Sequence, residues 1–239
     1  MIHRLAQQAL MTPRRLVEIK SRTVIAEEIE RFTPVHRRLI ELIAVAGQPL
    51  PTDVALNAAT RASAETIDLG YLFTARMLQR HRRGSDDLLD TYHDRIRKHV
   101  LDSLPAAVRE AHHRTLIEAF EAVRPHESER LAYHCEQGGR LAEASRHALI
   151  AAQQASGALA FDRAVSLYRR ALDLGVWDPQ ARYRILVDLA GALANAGRGV
   201  ESAEAFLAAA GRTTGIDDVR LRIKALDQYL RTGHLTEGR

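Results

Sequence analysis

Apolar residues recur at helical spacing through most of this 239-residue chain, and the breaks in that rhythm divide it into elements. Thr33-Pro34 opens the clearest helix: threonine suits the N-cap and proline the first helical position. Leu39, Leu42, Ile43 and Ala46 then follow the i, i+3, i+4, i+7 pattern, and Gly47 ends it. Pro49 and Pro51 exclude a helix between them, so Gln48–Pro51 reads as an extended connector. Thr52 is expected to cap a second helix ending near Thr60. Ser63 is expected to cap a third that runs to about Arg76, with Ile67, Tyr71 and Leu72 facing inward. Met77–His81 and Leu88–His93 have strand length, and a polar stretch containing Gly84 joins them. Asp94 suits the cap of a helix over Arg95–Leu104, and Pro105 opens another to Val123. Upstream, residues 1–31 read as helical with a break at Thr12-Pro13, and Ile25, Ile29 and Phe32 form a stripe.

From about Ser128 the pattern is one of helical hairpins. Leu131-Ala132, Gly139-Arg140, Glu143 and Leu149 recur as Leu189-Ala190, Gly197-Arg198, Glu201 and Leu207, each 58 positions on. A Gly-Arg turn reverses the chain, and an alanine-rich face packs the next helix against the last. Within these hairpins Phe161, Val165, Tyr168 and Leu172 form one stripe, and Val219, Ile223, Leu226 and Leu230 another.

Three helices followed by a hairpin is winged-helix order. The expected fold is therefore mainly α: a winged-helix-like module with a small two-strand wing, followed by an α-solenoid of hairpins. The expected divisions are a helical lead over 1–32, the end of an upstream domain; the winged-helix-like module over 33–105; and helical repeats over 106–239.

Composition supports this. Aromatic residues make up only 5%, while Ala, Leu and Arg abound, a mix that favours helices and close helix packing. The net charge of +4 is mild and interleaved, as on a solvated helical surface. Cys135 is the only cysteine, so no intrachain disulfide forms, and a reducing, cytoplasmic setting is expected. No apolar run approaches the ~20 residues of a membrane span.

Candidate chemistry is sparse. Neither a phosphate-binding Gly-x-x-x-x-Gly-Lys-Ser/Thr loop nor a kinase His-Arg-Asp segment occurs, and no Gly-x-Ser-x-Gly elbow is present. Histidines are frequent but lack zinc spacing, so no metal or cofactor is expected. Two groups of residues stand out. The string Tyr92-His93-Asp94-Arg95-Ile96-Arg97 lies at a strand–helix junction; Tyr92, His93, Asp94, Arg95 and Arg97 are candidates for coupling one domain to another. Arg80, Arg82 and Arg83 are candidates for contact with DNA or phosphate. Asp86, Asp87 and Asp90 oppose them, as do Glu65 and Asp68 at the start of the third helix.

The Tyr92–Arg97 string, Leu131-Ala132-Tyr133-His134, Ala158–Ala164 and Leu42–Leu50 together carry a family resemblance. Over roughly Thr33–Leu174 the chain resembles the region downstream of the ATPase domain in bacterial STAND/AAA-type ATPases (signal-transduction ATPases with numerous domains). Many of these are fused to a serine/threonine kinase and continue into tetratricopeptide-like repeats. The resemblance implies a non-catalytic regulatory and protein-interaction segment, which binds a protein partner or its own upstream domain. The alternative reading is a DNA-binding transcriptional regulator with a winged helix and a repeat sensor domain.

Overall fold

The computed structural model describes residues 25–61 and 65–233, so most of the expected helical lead, and Ser63, lie outside the described residues. The chain divides into two compact units, 1–124 and 125–239.

In the first unit the elements are α1 (Pro34–Ala46), β1 (Leu50–Pro51), α2 (Thr52–Thr60), α3 (Leu69–Thr74), β2 (Leu78–Arg83), β3 (Asp86–Thr91), α4 (Asp94–Ser103) and α5 (Ala106–Val123). Helix α1 is the centre of the core. Leu39, Ile40, Leu42, Ile43 and Ala44 are fully buried, because α2, α4, α5 and β3 all pack on it. Thr33 occupies the N-cap with Pro34 behind it, as the sequence predicts. Its hydroxyl bonds the His36 ring at Nδ1 (2.7 Å) instead of capping, while His36 Nε2 accepts the Asp68 N–H at 3.0 Å. That second bond assigns the ring proton to Nδ1 and ties the entry of α3 to α1.

Several local expectations are corrected. Gln48–Pro51 is not only a connector: Leu50–Pro51 pairs antiparallel with β3, so the sheet has three strands in the order β1-β3-β2. Proline fits because β1 is an edge strand, where a missing N–H costs no ladder bond. Pro51, not Thr52, sits at the N-cap of α2; the Thr52 hydroxyl donates to the Asp87 carbonyl instead. The third helix is only Leu69–Thr74, capped by Asp68, whose carboxylate accepts the Tyr71 N–H at 3.1 Å. Tyr71 is half exposed and packs edge-on against Phe32. The hairpin strands lie closer to the turn than expected: β2 reaches Arg83, and β3 starts at Asp86 and stops at Thr91, about a two-residue turn at Gly84-Ser85 with φ of 60° at Gly84. His93 holds the N-cap of α4, and Asp94 is its first residue, where a carboxylate suits the positive end of the helix. Finally, α5 buries Leu116, Ile117, Ala119 and Phe120 in the unit that holds α1 and α2. Arg124 closes this compact unit.

The second unit is a succession of helices: α6 (Ser128–Gln137), α7 (Leu141–Gly157), α8 (Phe161–Leu174), α9 (Pro179–Asn195), α10 (Gly199–Ala210) and α11 (Ile216–Arg231). Each packs mainly on its chain neighbours. Small side chains fill the seams, among them Ala144, Ala148, Ala164, Ala171, Ala190 and Ala203, all fully buried. Three turns share one geometry. Gly139, Leu159 and Gly197 have φ of 77°, 59° and 75°. The N–H of the next residue, Arg140, Ala160 or Arg198, returns to the carbonyl five positions earlier at 2.7–2.9 Å. This is the Schellman closure of a helix C-terminus. The Gly-Arg turns that the sequence self-match picks out are two of these three.

Charged pairs tie α8 to α6: Arg163 pairs with Glu129, and Arg170 Nε donates to Glu136 at 2.6 Å.

Candidate functional site

The Tyr92–Arg97 string divides into buried and exposed members. Ile96 is buried beneath the junction. The Tyr92 N–H donates to the Met77 carbonyl at 2.9 Å, which holds the strand end in place. Arg97 donates to the Gly47 carbonyl at 3.2 Å and pairs with Asp90, whose carboxylate also accepts the Thr91 N–H. One guanidinium thus pins α4 to the end of α1 and to β3. His93, Asp94 and Arg95 are exposed. Of the five residues singled out, Arg97 is an internal tie, Tyr92 is half-buried with its ring edge-on to His93, and only three lie open to a partner.

The hairpin arginines lie on β2. Arg80 stacks over the Phe73 ring at 5.6 Å. Arg82 is paired across the hairpin with Asp87 at 3.3 Å, and Arg83 is exposed opposite Asp86. The turn therefore presents alternating charge. A cation that sequence reasoning missed, Arg124, binds Asp53 at 2.8 Å and Asp86 at 3.0 Å. Its partners are 71 and 38 positions away, so local pattern carries no trace of it. A cavity of about 360 Å³ lies beside Arg37 and Arg38; there His112 Nε2 meets Glu41 at 2.9 Å.

The second unit holds the larger feature, a groove of about 460 Å³ lined by residues of α8, α9, α10 and α11 and the turn after α7. Leu159, Phe161, Val187 and Phe206 give it apolar walls. Gly191 opens its floor: a Cβ there would meet no atom within 4 Å. Polar groups converge on it. The Tyr168 hydroxyl bonds Ser156, and burial raises its pKa above the usual phenol value. Asp188 is exposed along its edge, yet partial loss of water raises its carboxyl above the ordinary range. Asn195 and Lys224 complete the rim, with the Lys224 ammonium 5.5 Å from the centre of the Phe206 ring. The sequence marks Phe161 and Tyr168 as one stripe, but Asp188, Asn195 and Lys224 carry no local signal.

On α10, Glu201 accepts hydrogen bonds from Arg198 on its own turn (2.8 and 2.7 Å) and from Arg169 on α8 (2.5 Å). These arginines hold its carboxyl at about 2. Among the described residues no helix is long and apolar enough to cross a membrane, and no cluster of His, Cys, Asp or Glu has metal-site geometry.

Stacked helical hairpins with alanine seams and Schellman turns define a helical-repeat protein. Comparison with protein families agrees: residues 141–230 match the tetratrico peptide repeat. No curated protein and no solved structure matches the chain. The match begins at α7 and ends one residue short of the end of α11, so it spans the groove. Repeats of this type point to interaction with proteins.

Proposed function

We propose that this chain is a non-catalytic regulatory segment whose repeats bind an extended peptide of a protein partner in the groove between α7 and α11. The single observation that carries this reading is the groove itself. Apolar walls, an open floor at Gly191 and a rim of Asp188, Asn195 and Lys224 converge from separate helices. Such a surface combines side-chain anchoring with polar groups that can meet a peptide backbone.

The first unit is read as a winged-helix-like module. Its helix–strand–helix–helix–strand–strand order and its antiparallel sheet, β1-β3-β2, support that assignment. Its part would be to transmit coupling through the exposed His93, Asp94 and Arg95. The resemblance to regions downstream of STAND-type ATPases supports a reading in which the segment serves such an ATPase or its fused kinase, with an upstream domain as a second candidate partner. A DNA-reading role is disfavoured: the third helix is six residues long and is capped by Asp68, and Arg82 is already paired.

The test uses a substitution that fills the groove without harming the helix. Gly191→Leu adds bulk where no atom stands, and it removes a helix-interior glycine that costs ~1 kcal/mol. A peptide selected from a random display library on the full chain should lose at least about tenfold in affinity to the variant, read by fluorescence anisotropy, while the thermal midpoint holds or rises. A selected peptide that binds both proteins equally would place recognition elsewhere.

A further inference from the structure

Helix α11 is apolar on two opposite sides. Leu221 and Ala225 are buried against the repeat core. Ile216, Val219, Ile223, Leu226 and Leu230 are exposed, at 68, 53, 59, 37 and 48%. A helix turns 100° per residue. On that geometry the five exposed residues fall within a stripe about 80° wide, on the face away from Leu221 and Ala225. Five such side chains make an apolar patch of a few hundred Å², a size that on a soluble protein marks an interaction surface.

The spacing identifies the kind of partner. Positions 216, 219, 223, 226 and 230 are separated by 3, 4, 3 and 4, the a/d alternation of a coiled-coil seam rather than the broader face of a helix buried in a globule. Ile216, Ile223 and Leu230 fall at a, Val219 and Leu226 at d; the central pair, Ile223 at a and Leu226 at d, is the combination that favours two parallel strands. The flanks agree. Arg222 falls at g and Asp227 at the following e, and in a parallel pair each g residue faces the e residue five positions on in the other helix. A second copy of this chain would thus set Arg222 opposite Asp227, twice, by symmetry. Within the chain Arg222 already leans on Asp218 (2.9 Å) and Asp227 on Arg231 (2.8 Å), so the pairs would extend charge networks that exist.

We infer that α11 is a self-association surface, on which two copies of the chain pair in parallel along the Ile216–Leu230 seam. This is independent of the groove, which lies on the side of α11 that carries Lys224. The seam is short, and two such faces cover less than the ~1,200 Å² typical of stable specific complexes. The dimer is therefore a weak one, populated only as concentration rises.

Sedimentation of the full chain over a concentration series tests it, with three variants beside the native protein. The native chain should move from monomer to dimer as concentration rises. Ile223→Asp should weaken the dimer about a hundredfold or more, because it sets two carboxylates into the seam, while circular dichroism stays unchanged. Arg222→Asp should weaken it several-fold, and Arg222→Asp combined with Asp227→Arg should restore it. Leu226→Cys should cross-link to itself on oxidation, since the only native cysteine, Cys135, is buried; antiparallel pairing would instead set residue 226 against an a residue such as Ile223. A chain that stays monomeric to about 1 mM overturns the proposal, as does a dimer indifferent to Ile223→Asp. Failure of the charge exchange, or of the cross-link, refutes the parallel seam.

Discussion

The fold alters the chemistry of His113. It is buried on α5, and burial, reinforced by the neighbouring His112 and Arg109, lowers its pKa from 6.5 to about 4. The sign follows directly. Between these values the unfolded chain binds a proton that the folded chain refuses, so stability present above pH 6.5 is lost as pH falls towards 4. The full loss is about 3 kcal/mol. His113→Gln should flatten this limb of the stability–pH curve, measured by urea unfolding at pH 7.5 and pH 4.5; an unchanged slope would contradict the assignment. Glu201 acts on the same side of the scale, lower down. Its folded value of about 2 against an ordinary 4.5 means that its contribution is complete above pH 4.5 and disappears only in stronger acid.

Leu159 stands where the two equivalent turns have glycine. An L-residue in the left-handed region costs roughly 1–2 kcal/mol, and Leu159 meets that cost while 72% exposed at the groove mouth. Leu159→Gly should therefore raise the stability of the second unit by about 1 kcal/mol and weaken peptide binding in the same protein. Trp177, the only tryptophan, packs on that unit's core and donates its Nε1–H to the Ala171 carbonyl, so its fluorescence reports this unit's unfolding. A less stable variant would refute the backbone cost, and unchanged binding would refute the role of the leucine at the groove.

At the level of elements, what the chain announces depends on whether a signal is local. Thr33-Pro34 and Gly47 delimit α1 because caps and breakers act on their own turn. The Gly-Arg turns are legible for the same reason. Caps set by competition between adjacent residues are less so. Asp68, not a serine further upstream, starts α3, and His93 rather than Asp94 precedes α4. Periodicity finds the stripe on α11 but cannot say which way it faces, since Leu221 and Ala225 form a second apolar face that wins the core. The groove is invisible for another reason: it is assembled from several helices, and an open site such as Gly191 is defined by what lies around it. Arg97 gives a prediction at this scale. Arg97→Gln removes a charged donor shared by Gly47 and Asp90, and should cost the first unit about 1–3 kcal/mol in chemical denaturation, with little effect on Trp177 fluorescence. Loss of under ~0.5 kcal/mol would mean that the tie is ornamental.

At the scale of the molecule, the proposal is a division of labour: a mainly helical module with a small antiparallel sheet that carries an exposed junction, and a repeat unit that carries a binding groove. Repeat units suit this role because the interface between neighbouring hairpins sets stability, which leaves the groove side chains free to vary. The charge pattern fits a protein partner better than a nucleic acid. Full-length protein should give no duplex-DNA mobility shift at moderate salt, and Arg82→Ala with Arg83→Ala should change nothing; a tight shift abolished by that pair would favour the transcriptional reading. The most direct measurement of the central claim is hydrogen exchange on the full chain with and without a display-selected peptide. Protection should concentrate on residues 156–168, 187–195 and the turn of α11 around Lys224. Protection confined to the first unit, or to the outer stripe of α11, would contradict it.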